Sequence, residues 1–196
     1  MTRKALTEIE IKRFRTAYCE KAYELYKQDD YHAISMRGIA KAMGCSSMMA
    51  YRYFEDKEDV FASLRATLFN RLANSLESVP DSLSPLNYLK KVGMTYAGFA
   101  HEEPHTYRLL YMIHIQKVKS YPEVEQAQMR TQKVLLRATL RAKESGYIEG
   151  DPIVLAHTLW ALIHGLVSLD LANQLNQGAS FDDLFPSMLD LLLKKC

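Results

Sequence analysis

SMRGIAKAMGCSSMMAYRYF, residues Ser35 to Phe54, reads as two short helices joined by a tight turn. Ser35 is an N-cap candidate, its hydroxyl able to accept from free amides of the first turn. Met36, Ile39, Ala40 and Met43 follow at i, i+3, i+4 and i+7, a single apolar stripe on a helix. Gly44 comes next, where a left-handed residue is needed and glycine adopts it without a Cβ clash. Ser46 caps a second helix, expected to run through Met49, Ala50, Tyr51 and Phe54. Two short helices around a glycine turn form a helix-turn-helix, whose second helix can enter the major groove of DNA.

A plain helical hairpin in an all-α core would have the same spacing, so the polar chemistry decides. From Arg37 to Phe54 there is no acidic residue, while Arg37, Lys41 and Arg52 are basic. The start of the second helix, Ser46-Ser47-Met48-Met49, is uncharged, slim and partly apolar. It suits base edges and thymine methyls.

These residues resemble the tetracycline-repressor-like (TetR-like) transcriptional regulators. The resemblance rests on Ser35, Arg37, Ile39, Ala40, Gly44, Ser46, Tyr51, Phe54, Lys57 and Glu58. The string Tyr51-Arg52-Tyr53-Phe54-Glu55-Asp56-Lys57-Glu58 looks like the family's recognition-helix exit and next helix start. Cys45 stands where the family usually has valine. Met48 and Met49 replace small or polar residues, and Tyr53 replaces a common histidine. The fold expectation is untouched by these departures, and the operator sequence is left open.

The chain has 196 residues, 48% hydrophobic and 24% charged, an ordinary globular composition with enough length for a real core. A formal charge of +2 is close to neutral, so any DNA contact must be local rather than a bulk attraction. No basic start leads into an apolar segment, so no secretory signal is expected. Cys19, Cys45 and Cys196 are scattered, without a CxxC or a Cys/His cluster. The reading is reduced thiols, a cytoplasmic protein, no metal and no cofactor. Pro152 to Leu169 carries no Asp, Glu, Lys or Arg, which is about the length of a membrane span. Its His157, Thr158, His164, Gly165 and Ser168 favour a buried or interface helix, and no membrane partner is expected.

Taken in order, Arg3 and Lys4 belong to a short basic terminus, read as frayed or as an arm reaching DNA. Thr7 to Glu10 is a capping box, followed by a helix with Ile11, Phe14, Tyr18, Ala22 and Leu25 on its apolar face, ending near Gln28. Asp29 to His32 is a loop. Asp56 caps a fourth helix beating through Val60, Phe61, Leu64, Leu68, Leu72 and Leu76. The expected division is therefore a DNA-binding head over residues 1–55 and a larger domain over residues 56–196, all-α, with about nine helices in total. Further helices are expected from Leu86 to Ala100, His105 to Gln116, Pro122 to Gly146, Pro152 to near Asn176 and Phe181 to Lys195. His114 is expected within the ring-rich short helix of this series.

Aromatic and thioether side chains gather at Tyr96, Phe99, Tyr107, Tyr111, Met112, Met129 and Trp160. Buried hydroxyls need partners, and the excess of polar-tipped rings suggests a cavity; with the family resemblance this implies a small-molecule pocket of Tyr96, Phe99, Tyr107, Tyr111, Met129, Trp160 and His164. The segment Leu159 to Leu166 is similar to a Trp-x3-His-Gly motif of one TetR-like subgroup. Trp160 and His164 share a helix face, and a core histidine is favoured over a metal ligand. The last two helices are apolar on more than one face. Leu159, Leu162, Leu166, Leu169, Leu189 and Leu192 are expected to form a two-fold interface.

The whole reads as a homodimeric, ligand-responsive repressor of a near-palindromic double-stranded DNA operator, released by a small-molecule effector. Ser47, Met48 and Met49 are placed at bases, Arg37 at a base or a phosphate, and Ser35, Ser46, Tyr51, Tyr53 and Lys57 at phosphates. A helix-turn-helix activator or DNA-structuring protein without ligand, and an α-helical enzyme using the C-terminal pocket, stand as alternatives. The enzyme reading lacks a nucleophile–base set, a metal constellation or a phosphate loop.

Overall fold

A computed structural model describes residues 7–113, 121–175 and 178–193. Among the described residues there are nine α-helices, one short 3-10 turn and no strand. The helices are α1 (Glu8–Gln28), α2 (Met36–Ala42), α3 (Ser47–Ala50), α4 (Lys57–Glu77), α5 (Pro85–Glu102), α6 (Pro104–Tyr111), α7 (Pro122–Glu144), α8 (Pro152–Leu171) and α9 (Phe181–Leu192). The expected basic terminus, His114 and Cys196 lie outside the described residues, whereas the apolar helix ends at Leu171, short of the expected Asn176, and α6 ends at Tyr111, short of the expected Gln116.

The chain forms two compact units. The first takes Met1–Leu68 with Leu109–Gln126, and the second takes Phe69–Arg108 with Ala127–Cys196.

In the first unit, helix starts follow local chemistry. Thr7 and Glu10 form the reciprocal capping box, with the Thr7 amide donating to the Glu10 carboxylate at 2.8 Å. Asp30 accepts from the His32 amide at 2.8 Å and starts a 3-10 turn, Tyr31–Ala33, inside the stretch expected to be loop. Asp56 accepts from the Asp59 amide at 3.0 Å and caps α4. The core is Tyr18, Ala22, Tyr26, Ile39, Ala40, Phe54, Val60 and Phe61, all nearly inaccessible. Ile11, expected on the packed face of α1, is instead 37% exposed. The packed part of α1 begins later, at Tyr18 and Cys19, whose thiol is pushed up to about 12 by burial. Arg65 of α4 is half-buried and donates to the Leu110 carbonyl at 2.9 Å. Burial lowers its pKa, and the carbonyl at a helix end is a favourable partner for a cation.

In the second unit, α5, α8 and α9 pack around Tyr88, Val92, Ile163, Val167 and Phe185. Gly93 permits the approach: a Cβ there would stand 2.8 Å from the Phe185 ring and 3.3 Å from Ile163. Asp151 caps α8, accepting from the amides of Ile153 and Val154 at 2.9 and 3.0 Å, with Pro152 at the first helical position. Along α7, Arg130 pairs with Glu77, and Arg137 and Arg141 reach Asp81.

Candidate nucleic-acid interface

The turn between α2 and α3 is closed by backbone alone. Gly44 has φ +68°, its amide donates to the Lys41 carbonyl at 3.1 Å, and the Cys45 amide donates to the Ala40 carbonyl at 3.0 Å. That pair of bonds is the glycine-ended helix stop, and a side chain at residue 44 would be strained there. Ser35 accepts from the Gly38 amide at 3.1 Å and Ser46 from the Met49 amide at 3.2 Å, so both helices start on serine hydroxyls.

Helix α3 is shorter than the sequence suggests. It ends at Ala50, after which the Arg52 amide bonds to Met49 and the Tyr53 amide to Ala50, three residues back. The chain tightens into a 3-10-like turn there and does not continue as α-helix to Phe54. Ala50 is fully buried and anchors α3 to the core, while Met48 is 81% and Tyr51 57% exposed. Met49 is 38% exposed and Ser47 is half-buried. Ser35, Arg37, Lys41, Ser46 and Arg52 are exposed.

Two of the residues placed at phosphates have internal partners. The Tyr53 ring is buried and stacks on Phe14 with centroids 4.2 Å apart. Lys57 donates from Nζ to the Tyr31 carbonyl at 3.1 Å and lies 4.2 Å from the centre of the Tyr31 ring.

Arg15 of α1 is the residue that sequence reasoning missed. Its guanidinium donates to the Tyr53 carbonyl, to Asp59 at 3.2 Å and to Ser63 at 2.7 Å, and covers the Phe54 ring at 4.2 Å. It therefore ties α1, the exit of α3 and the start of α4 together. Its partners lie 38 to 48 residues away in sequence, so no local pattern marks it.

Residues 19–64 match the profile described as bacterial regulatory proteins, tetR family. Residues 89–192 match that of the tetracyclin repressor-like C-terminal domain, more than half of the chain. The chain belongs to the TetR family. It is a helix-turn-helix, DNA-binding transcription regulator by that membership. Solved structures of similar fold include a protein of unknown function from a Rhodococcus species, 22% identical over 90% of this chain and 92% of that one, TM-score 0.77. Another is the fatty acid degradation regulator FadR from Bacillus halodurans, 18% identical over 97% of each chain, TM-score 0.72. A third is a TetR family transcription regulator from Marinobacter aquaeolei, 22% identical over 92% of this chain and 96% of that one, TM-score 0.69. At these identities the likeness is one of fold. Among curated proteins none matches the chain at a significant level.

The C-terminal unit of this TetR-family chain brings part of the aromatic set together. The Tyr96 hydroxyl lies 3.1 Å from that of Tyr107, which lies 2.5 Å from Nδ1 of His164. Tyr107 is fully buried, and burial raises its pKa. Burial also lowers the pKa of His164 and favours the neutral imidazole, whose Nδ1 shares a hydrogen bond with the Tyr107 hydroxyl. Trp160 lies on the same side, its ring centroid 5.6 Å from that of His164. Phe99 is buried, and Met129 is 49% exposed on α7. Tyr111 belongs to the first unit. Among the described residues, no group of three or more His, Cys, Asp or Glu is placed to hold a metal ion.

The residues expected at a dimer interface separate into two sets. Leu159, Leu166 and Leu189 are buried within the protomer, at 6%, 9% and 4% exposure. Leu162 and Leu169 are 40% and 49% exposed and share a stripe with Val154, 63% exposed. The Leu192 side chain lies outside the described residues. Helix α8 is long and apolar enough to cross a membrane by length and composition; Ala156, Leu159, Ile163, Leu166 and Val167 are its core-facing residues.

Proposed function

We propose that the protein is a homodimeric, ligand-responsive repressor. In this reading residues 1–55 bind DNA, and residues 56–196 bind the effector and dimerise. The protein is cytoplasmic, with no membrane partner and no catalytic role. The observation that carries the DNA contact is the capped α2–Gly44–α3 turn, which presents Met48 and Tyr51 outward with no acidic residue between Arg37 and Phe54. Ser47, Met48 and Met49 take base edges, and Arg37 takes a base or a phosphate. Ser35, Ser46 and Tyr51 take phosphates, with Lys57 beside the first amides of α4. Tyr53 contributes through its backbone and its packing on Phe14 rather than as a free ring.

An uncharged stripe of Val154, Leu162 and Leu169 supports pairing through α8, since an exposed apolar helix face is stabilised by a second copy. The Tyr96–Tyr107–His164 chain supports an effector site, because its hydroxyls can exchange partners with a polar group of a ligand. Effector binding favours a form whose two heads mismatch the operator, a population shift carried along α4.

Selection of bound fragments from random duplexes by the full chain tests this. Enriched sites should carry two-fold related half-sites whose centres lie about 34–36 Å apart. Absence of any enriched sequence at low ionic strength overturns the proposal.

A further inference from the structure

The groove-facing surface of α3 has an unusual chemistry. Its two largest exposed side chains are both thioethers, Met48 at 81% and Met49 at 38% exposure. Between Cys45 and Tyr51 there is no Arg, Lys, Asn, Gln, Asp or Glu. Guanine is read by paired donors and adenine by a side-chain amide, and α3 carries neither. What a thioether can recognise in the major groove is the one apolar group displayed there, the 5-methyl of a pyrimidine. The support is rigid enough to make that reading selective. Ser46 holds the Met49 amide at 3.2 Å, Ala50 is fully buried, and Arg15 grips the carbonyl of Tyr53. Arg37, Lys41 and Arg52 are exposed and no acidic residue lies between Arg37 and Phe54, so this stretch is complementary in charge to a duplex rather than to an apolar protein partner.

We infer that α3 reads its part of the operator through pyrimidine 5-methyl groups, with Met48 as its specificity-determining side chain. The inference rests on the DNA-binding role proposed above and names the chemistry of that contact. Ser47, whose hydroxyl suits any base, adds little discrimination. Each half-site therefore contains thymines at the positions under α3. A 5-methylcytosine, which displays the same methyl, satisfies Met48 where cytosine does not.

The test uses the full chain and the operator it selects. Deoxyuridine replaces thymine one position at a time, removing the methyl and nothing else, and the dissociation constant is read by fluorescence anisotropy at fixed salt. Burial of a methyl group implies a loss of about fourfold per contacted thymine. Met48→Ala should erase the difference between thymine and deoxyuridine, whereas Met48→Leu should keep it. Because Met48 is so exposed, both variants should retain the wild-type circular dichroism spectrum. A thymine-to-cytosine change should weaken binding, and methylation of that cytosine should recover about fourfold. If specific binding persists while deoxyuridine at every position under α3 leaves affinity unchanged, methyl reading is wrong and the regulator reading stands. If no duplex is bound specifically, both fall.

Discussion

Arginines brace both units, the second through Arg137 on Tyr88 and Arg141 on Leu83, and what sets the units apart is the neutral polar chain that the second buries. The first is braced by cations: Arg15 on Tyr53, Asp59 and Ser63, Lys57 on Tyr31, and Arg65 on Leu110. The second buries a neutral chain of two phenols and an imidazole, Tyr96, Tyr107 and His164. A guanidinium with several fixed acceptors has one good arrangement, and leaving it unpaired is costly. Hydroxyls and a neutral histidine each donate or accept, so their bonds can be redrawn at little cost. A reading surface needs the first kind of interior. A site that answers to a small molecule is served by the second.

The largest expected effect separates the two faces of α8. Leu159→Asp places an unpaired carboxylate in the second unit's core, at a cost of about 4 kcal/mol or more. The protein should lose helical signal at ordinary temperature, since a domain's whole stability is about 5–15 kcal/mol. Leu162→Asp, three residues on, touches a position already 40% exposed in the protomer. It should keep the helical spectrum and halve the mass seen by light scattering. A folded dimer from Leu162→Asp would move the interface off this stripe.

Next is the brace of the first unit. Arg15→Met removes bonds to three partners while keeping an apolar stem beside Phe54. Charge-assisted bonds of this kind contribute about 1.5–3 kcal/mol, so thermal unfolding should fall by an amount matching about 2 kcal/mol. Amide exchange should quicken through α3 and the start of α4, and operator affinity should drop with it. An unchanged exchange pattern would mean that the brace does not hold the α3 exit.

How much of this was legible in the sequence follows from distance along the chain. Caps were readable because their partners are three residues away: Thr7 with Glu10, Ser35 with Gly38, Ser46 with Met49. Gly44 was readable because its backbone demand is its own. Arg15 was not, since nothing near it in sequence announces a carbonyl 38 residues on. Helix α8 resisted for another reason. With apolar residues on every side it has no period, so Leu159 and Leu166, which face inward, look the same as Leu162 and Leu169, which do not. Composition lists the aromatic rings together, while only the fold brings Tyr96, Tyr107, Trp160 and His164 to one place in the second unit. Ile11 and the shortened α3 were misjudged for a related reason: a stripe or a cap starts a pattern, and tertiary packing decides where it stops.

A smaller effect is expected at Lys57. Its ammonium has three donors, and the Tyr31 carbonyl takes one at 3.1 Å. If another meets a phosphate, Lys57→Ala should weaken binding to every duplex sequence alike and reduce the salt dependence by about one unit of slope. A change of preferred sequence instead would place Lys57 among the base-reading groups and blur the contrast with Met48.

The smallest effect concerns the neutral chain in the second unit. Burial lowers the pKa of His164 from its ordinary 6.5. The unfolded chain then takes up a proton at a pH where the folded one does not. Stability is therefore undiminished above pH 6.5 and declines as pH falls below it, until the folded-state pKa is also passed. His164→Gln keeps an acceptor for the Tyr107 hydroxyl and cannot titrate. The difference in melting temperature between this variant and the natural protein should narrow or reverse on going from neutral pH to about pH 5, since only the natural protein carries the acid penalty at this position. A difference that stays constant across that range would mean that the imidazole is equally ready to protonate in both states. The neutral chain would then be no more than packing, and the two units, both braced by arginines, would lose the feature that sets them apart.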